Sequence, residues 1–152
     1  MKNSILKTIV LLMCIAIVGC TSNRQEIKHG VWDKDSLITI TLNVEDATQP
    51  CDIDIDLRTG TLYPASNLWL FINTQSPDNI LERDTLQCIL QDESGNSFGE
   101  TSGELCDYYI PWKKNVRFPK NGEYKFTLQH GMRIERLPFV LEIGLRIQPH
   151  QN

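Results

Sequence analysis

Leu37-Ile38-Thr39-Ile40-Thr41-Leu42-Asn43-Val44 and Cys51-Asp52-Ile53-Asp54-Ile55-Asp56-Leu57 alternate apolar with polar residues at a period of two. Successive side chains of a strand point to opposite faces, so the alternation predicts half-buried strands and not helix. The second stretch ends at Thr59-Gly60, a turn signal. The pattern returns in Glu123 to His130, where Tyr124, Phe126 and Leu128 share a face, and in Leu141 to Ile147, just after Pro138. Asp84 to Gln91 is a further strand candidate. Asn67 to Asn73 carries Leu68, Trp69, Leu70, Phe71 and Ile72 in succession, which predicts a strand buried on both faces with Trp69 in the core. Gly95, in Asp92-Glu93-Ser94-Gly95-Asn96, suits a loop position of positive φ, and Asn121-Gly122 suits a tight turn. Roughly six or seven short strands at this spacing predict an all-β fold, a single antiparallel β-sandwich of jelly-roll-like build. Helix is confined to one or two turns at Pro77 to Arg83 and at Gly131 to Leu137.

The amino terminus predicts where the protein resides. Ile17-Val18-Gly19-Cys20 closes an apolar run that starts at Ile9, behind Lys2 and Lys7, and resembles a bacterial lipobox. A membrane-spanning helix needs about 20 apolar residues, and this run passes directly into Thr21-Ser22-Asn23-Arg24. Residues 1–19 are therefore read as a cleaved lipoprotein signal peptide, with Cys20 the lipidated first residue of the mature chain. Residues 20–31, polar and without periodicity, are read as the lipidated amino terminus and a flexible stalk. Residues 32–149 form the β-sandwich and 150–152 a tail. The acyl chains place the protein in membrane lipid. Thr21 to Asn23 lack the acidic run that would direct a lipoprotein to the cell surface, so an outer-membrane lipoprotein facing the periplasm is expected.

Loss of residues 1–19 removes Lys2 and Lys7 and no acid, and takes the formal charge from −4 to about −6. A mildly acidic surface argues against nucleic acid as a partner. Lys113, Lys114, Arg117 and Lys120 make the densest basic stretch, read as a solvated strand edge or loop. The remaining chain suits one domain.

Of the mature cysteines, Cys51, Cys88 and Cys106 are free to pair, and an exported compartment permits a disulfide. Cys88 with Cys106 is the best-placed pair, because the two flank a loop rich in Gly and Ser; connectivity stays open at this stage. None has zinc-ligand spacing, so no metal or other cofactor is expected. Asp52, Asp54 and Asp56 project from one face of their strand. A flat strand does not curl around calcium, so the three acids are expected to face water. His29, His130 and His150 are scattered, and neither a G-x-S-x-G elbow nor a phosphate-binding glycine loop is present. The chain is accordingly read as no enzyme, with no catalytic residues.

Exposed aromatic side chains offer another use. Tyr108, Tyr109 and Trp112, beside Pro111, form a candidate surface for a partner or for sugar rings, with packing over the core edge as the plainer reading. Arg133, polar among apolar neighbours, is a further candidate for partner contact.

From Tyr63 onward the chain resembles the gliding-motility lipoprotein GldH family. The likeness runs through Tyr63-Pro64, Ser66 to Phe71, Asp84-Thr85-Leu86, Leu90, Gly95, Gly103 and Asp107. It continues through Val116-Arg117-Phe118-Pro119, Gly122 with Tyr124 and Phe126, Met132-Arg133, Leu137-Pro138 and Gly144-Leu145-Arg146-Ile147. The resemblance implies a lipid-anchored, non-catalytic scaffold or adaptor whose partners are other envelope proteins of the gliding and secretion machinery. An alternative is a glycan-binding envelope lipoprotein that uses its exposed aromatics. Among the matched residues, Leu68, Leu70, Phe126 and Ile147 read as core, Gly122 as a turn, and Gly144 as a strand position needing close approach. Arg146 alternates with Leu145 and Ile147 and so faces away from them, where a carboxylate from a neighbouring strand is the expected partner.

Overall fold

The computed structural model describes residues 21–151; the signal peptide read over residues 1–19 and the lipidated Cys20 lie outside the described residues. In chain order the strands are β1 (Thr21–Glu26), β2 (Val31–Asp33), β3 (Ile38–Val44), β4 (Cys51–Gly60), β5 (Asn67–Gln75) and β6 (Leu81–Ile89). They continue with β7 (Glu100–Ser102), β8 (Leu105–Val116), β9 (Gly122–His130), β10 (Arg136–Pro138) and β11 (Val140–Pro149). A five-stranded antiparallel sheet runs β1-β11-β4-β8-β7, a four-stranded one runs β3-β9-β5-β6, and β2 pairs with β10 in a short ribbon. The fold is the all-β sandwich that period-two patterning predicts.

The core lies between the two larger sheets. Ile53, Ile55 and Leu57 of β4 and Ile143 and Leu145 of β11 point inward from one sheet; Ile40, Leu68, Leu70, Ile72, Phe126 and Leu128 meet them from the other, all nearly without solvent contact. Burial of such side chains contributes about 1.5–3 kcal/mol each, which drives the two faces together. Trp32 and Leu137 of the ribbon close the core at one margin, with the Trp32 indole N–H donating to the Ser36 carbonyl at 2.9 Å.

Several expectations need correction. The segment read as a flexible stalk is strand β1 over Thr21–Glu26, paired with β11 in continuous register from Thr21↔Ile147 to Glu26↔Glu142. Its polar composition suits an edge strand whose side chains meet charged partners, not apolar ones. β5 is buried on one face only: Leu68, Leu70 and Ile72 are inside, while Trp69 is 38 % exposed and Phe71 44 %. Among the described residues no third layer covers the outer face of the four-stranded sheet, so alternate apolar residues of β5 remain on the surface.

Neither helical candidate forms. Pro77 to Arg83 is a hairpin turn entering β6, closed by the Ser76 N–H donating to the Ile80 carbonyl at 2.9 Å and by Asn79 at φ 61°. Gly131 to Leu137 is a bend running into β10, tied back by the Gly131 N–H to the Trp69 carbonyl at 2.7 Å. The Cys88–Cys106 disulfide is not formed: Cys51, Cys88 and Cys106 are all free, buried thiols. Cys88 packs inside β6 as a small apolar side chain, and the Cys106 thiol turns to the Ser97 hydroxyl at 3.1 Å.

Candidate functional site

β4 places Asp52, Asp54, Asp56 and Arg58 on the outer face of the five-stranded sheet, opposite the buried Ile53, Ile55 and Leu57. The acids do not face water as alternation alone implies. Asp54 is 4 % exposed and Asp56 1 %, because basic side chains from neighbouring strands cover them. Arg24 of β1 pairs with Asp56, reaches Asp107 of β8 at 2.8 Å and contacts Glu142 of β11 at 3.3 Å. Arg58 grips Asp107 with two bonds, Nε to Oδ1 at 2.9 Å and Nη2 to Oδ2 at 3.1 Å. Further along β4, Lys114 bonds Asp54 at 3.1 Å, and Asp52 accepts from the Asn115 backbone N–H and lies against His150 Nδ1, both at 2.8 Å.

The electrostatics of this ladder follow from its contacts. Burial works against the charge on Arg24, but the bonds and charges of Asp56, Asp107 and Glu142 outweigh it and raise its pKa. The bond from Arg58 holds the Asp107 carboxyl below its ordinary value. A buried charge is tolerated only when paired and bonded in this way. Tyr109 lies on the same face, with the Arg146 guanidinium 4.6 Å from its ring centroid and that of Arg24 5.9 Å away. Arg146 is therefore built into the ladder, beside Asp54 in register.

The second feature is a cleft of about 250 Å³ at one end of the sandwich. β1, β4, β6 and β9 begin at this end and β3, β5, β8 and β11 finish there, so residues 45–50, 76–80 and 117–121 gather as neighbouring loops. They are fastened to each other: the Ala47 N–H donates to Asn121 Oδ1 at 2.8 Å, Arg117 Nε donates to the Thr48 carbonyl at 3.0 Å, and Lys120 pairs with Asp78 at 2.5 Å. Ile53, Trp112, Phe118 and Phe126 supply an apolar floor, and Lys113, Arg117 and Lys120 face Asp78 and Glu82 around the rim.

An irregular register between β4 and β8, where Ile53 pairs with Lys113 and Asp54 with Pro111, leaves Trp112 as an inserted residue. Such a bulge re-aims a side chain, and here the indole turns onto Phe126, edge to face at 6.2 Å. Its N–H donates to Asp84 at 2.9 Å and the Lys113 ammonium lies 5.0 Å from its ring centroid. The bond from Trp112 is the chief cause of the lowered Asp84 pKa.

The aromatic candidates are thus not one surface. Tyr108 points into the core, with its hydroxyl 3.0 Å from Ser97 Oγ; Tyr109 is 48 % exposed on the opposite face; Trp112 lines the cleft. Arg133 is exposed in the bend before β10, on neither feature. Arg24, Arg58 and Glu142, which complete the ladder, were not singled out in the sequence; the signal for them was the run of alternating acids on β4, which requires bases from adjacent strands once buried.

Cys88, Cys106 and His130 are engaged in the interior. His130 is buried against Trp32, with Nε2 3.1 Å from the Trp32 carbonyl, and burial lowers its pKa. Burial pushes the Cys88 thiol up to about 12. Cys106 is also subject to burial, yet hydroxyls of Ser97, Thr101 and Tyr108 bring its pKa below the ordinary value. Among the described residues, no group of three or more His, Cys, Asp or Glu side chains is placed to hold a metal ion. The arrangement offers a charged clamp that fastens four strands and a cleft suited to binding.

A family model described as GldH lipoprotein matches residues 20–147. The match thus begins at Cys20 and takes in β1 to β4, well before Tyr63. A gliding motility lipoprotein GldH homolog of Christiangramia forsetii is 30 % identical over 128 residues, covering 80 % of this chain and 79 % of that protein. Gliding motility lipoprotein GldH of Flavobacterium johnsoniae is 28 % identical over 151 residues, covering 92 % and 94 %. Among solved structures, an exo-β-1,3-galactanase from Phanerochaete chrysosporium aligns with TM-score 0.39 and 11 % identity, over 84 % of this chain and only 29 % of that one, a likeness with no functional weight.

Proposed function

The chain belongs to the GldH lipoprotein family, and from that membership we propose that it is a lipid-anchored envelope protein acting as a non-catalytic scaffold or adaptor of the gliding and secretion machinery. The observation that carries this reading is the family match over residues 20–147, which begins at the cysteine of Ile17-Val18-Gly19-Cys20. Cys20 carries the lipid, and the anchor holds the domain at the outer membrane on its periplasmic side. More than one acyl chain is needed for a firm hold, since each buried methylene contributes about 0.8 kcal/mol. A rigid sandwich cross-tied by the Arg24 and Arg58 ion pairs suits a protein that holds others in place. The groups best placed for chemistry, His130 and Cys106, are engaged in the core or with neighbouring hydroxyls.

Affinity purification from detergent-solubilised membranes tests the role. Recovery of other envelope proteins in stoichiometric amounts is the expected result. Recovery of the protein alone, together with retarded migration in polysaccharide gels, would replace the adaptor with a glycan reader.

A further inference from the structure

Thr21 is the first residue of β1, and Cys20 immediately precedes it. One residue spans at most about 3.6 Å, so lipid on Cys20 leaves the domain almost no tether. The position of Thr21 in the sheet then fixes which part of the molecule is held at the bilayer. Across the five-stranded sheet Thr21 is level with Ile147, Ile53 and Lys113. That line lies at the end of the sandwich where residues 45–50, 76–80 and 117–121 gather and where the cleft opens.

The same end exposes large apolar side chains. Ile80 is 61 % exposed and Leu81 53 %, at the tip of the β5–β6 hairpin. The edge strands nearest the anchor offer no such surface: Gln25 and Glu26 of β1 and Thr39, Thr41 and Asn43 of β3 are exposed and polar. A domain lying on its β1–β3 side would therefore bring polar side chains to the lipid, whereas one standing on its end brings Ile80 and Leu81. The lysines at this end are paired within the protein, Lys120 with Asp78, Lys113 with Asp84, and Lys114 with Asp52 and Asp54. Contact with lipid there depends on tether and apolar burial, not on anionic headgroups.

We propose that the sandwich stands end-on on the bilayer that holds its anchor, with the β5–β6 tip at Ile80 and Leu81 dipping into the interface of a phospholipid surface. This placement rests on the lipidation of Cys20 in the reading above. With strands near the membrane normal, β4 carries the opposite end, which includes Leu62 and Phe98, about 30 Å from the surface. The ladder on the outer face of the five-stranded sheet and the exposed Trp69 and Phe71 on the other sheet then flank the molecule, open to partners on both sides.

An environment-sensitive fluorophore on an introduced cysteine tests this in the lipidated mature protein reconstituted into phosphatidylcholine vesicles. The native thiols are buried, so labelling under native conditions reaches the new one. With spin-labelled lipid as quencher, probes at Ile80→Cys and Leu81→Cys should lose about half their emission, as befits side chains within about 5–10 Å of the headgroup boundary. Probes at Leu62→Cys, Phe98→Cys and Thr41→Cys should be unaffected, and anionic lipid should change none of these results. Quenching at position 41 but not at 80 or 81 would lay the domain on its side and overturn the proposal. So would a palmitoylated protein in which positions 80 and 81 are no more quenched than 62. Absence of palmitate on Cys20 would remove the anchor itself, which separates failure of the functional reading from failure of the end-on placement.

Discussion

Arg24 of β1 reaches Asp56 of β4 by passing over Gly144 of the intervening β11, with which both are in register. Gly144 has no side chain to obstruct that path. A Cβ there would come closer to the Asn23 carbonyl and the Arg24 Cα than non-bonded atoms can approach, so the backbone of β1 would have to shift. The pair explains how a polar amino-terminal segment becomes part of the sandwich and why Asp56 is buried on a face that alternation assigns to solvent.

Arg24→Ala should lower stability by about 1.5 to 3 kcal/mol, the cost of taking a charge-assisted bond from the buried Asp56 carboxylate. Urea unfolding measures it. The double replacement Arg24→Met with Asp56→Leu should recover much of the loss, because it removes both charges together. Equal losses in the single and double variants would show that Asp56 has no need of Arg24.

Gly144→Ala should displace β1 while leaving the core intact. Overpacking of this kind costs about 1 to 3 kcal/mol, and the loss concentrates where Asn23 and Arg24 are pushed away. Trypsin cleavage after Arg24, slow while β1 is paired, should accelerate in the variant. Unchanged protection would mean that the two strands separate enough to admit the methyl group.

Much of this architecture was legible in the residues. β3, β4, β9 and β11 announce themselves by alternation, and Gly95 takes φ 83° as its loop requires. β1 was not legible, since Thr21-Ser22-Asn23-Arg24-Gln25-Glu26 has no apolar stripe; its attachment depends on Arg24 finding Asp56, 32 residues along the chain. The burial of Asp54 and Asp56 was hidden for the same reason, because only register shows which bases lie beside them. Trp69 misled in the opposite direction: its apolar neighbours suggested core, but burial on both faces requires a third layer, which the described residues do not supply. Trp112 could be placed at a core edge, while its turn into the cleft follows from a register irregularity that composition does not reveal.

Stability should fall in two stages as pH is lowered. His130 is buried with its pKa below the ordinary 6.5, so the unfolded chain takes up its proton first. The stabilisation is present above pH 6.5 and is lost as pH falls from there through the folded value. Asp107, held below 3.8 by Arg58, contributes stability present above its unfolded pKa and lost as pH falls through the lower folded one. Urea midpoints between pH 7 and 2 resolve the two stages. His130→Gln should flatten the first stage, and Asp107→Asn should shrink the second, to which Asp84, also held below its ordinary value, contributes as well; an unchanged profile in either variant would remove that residue from its stage.

Trp112 decides between packing and sugar binding. Its N–H is held by Asp84, its ring packs against Phe126 and the Lys113 ammonium lies over it, so little of the indole remains for a sugar to stack on. Trp112→Ala should therefore destabilise the domain by about 2 to 3 kcal/mol, below the range for a fully buried tryptophan because the side chain is only partly buried. Trp112→Phe should keep the aromatic packing and cost about 1 kcal/mol for the lost bond to Asp84. Both variants, assayed at a temperature where they remain folded, should migrate through polysaccharide gels as the parent does. Retarded migration of the parent that disappears in Trp112→Ala but persists in a variant of matched stability elsewhere in the core would establish glycan binding at the cleft.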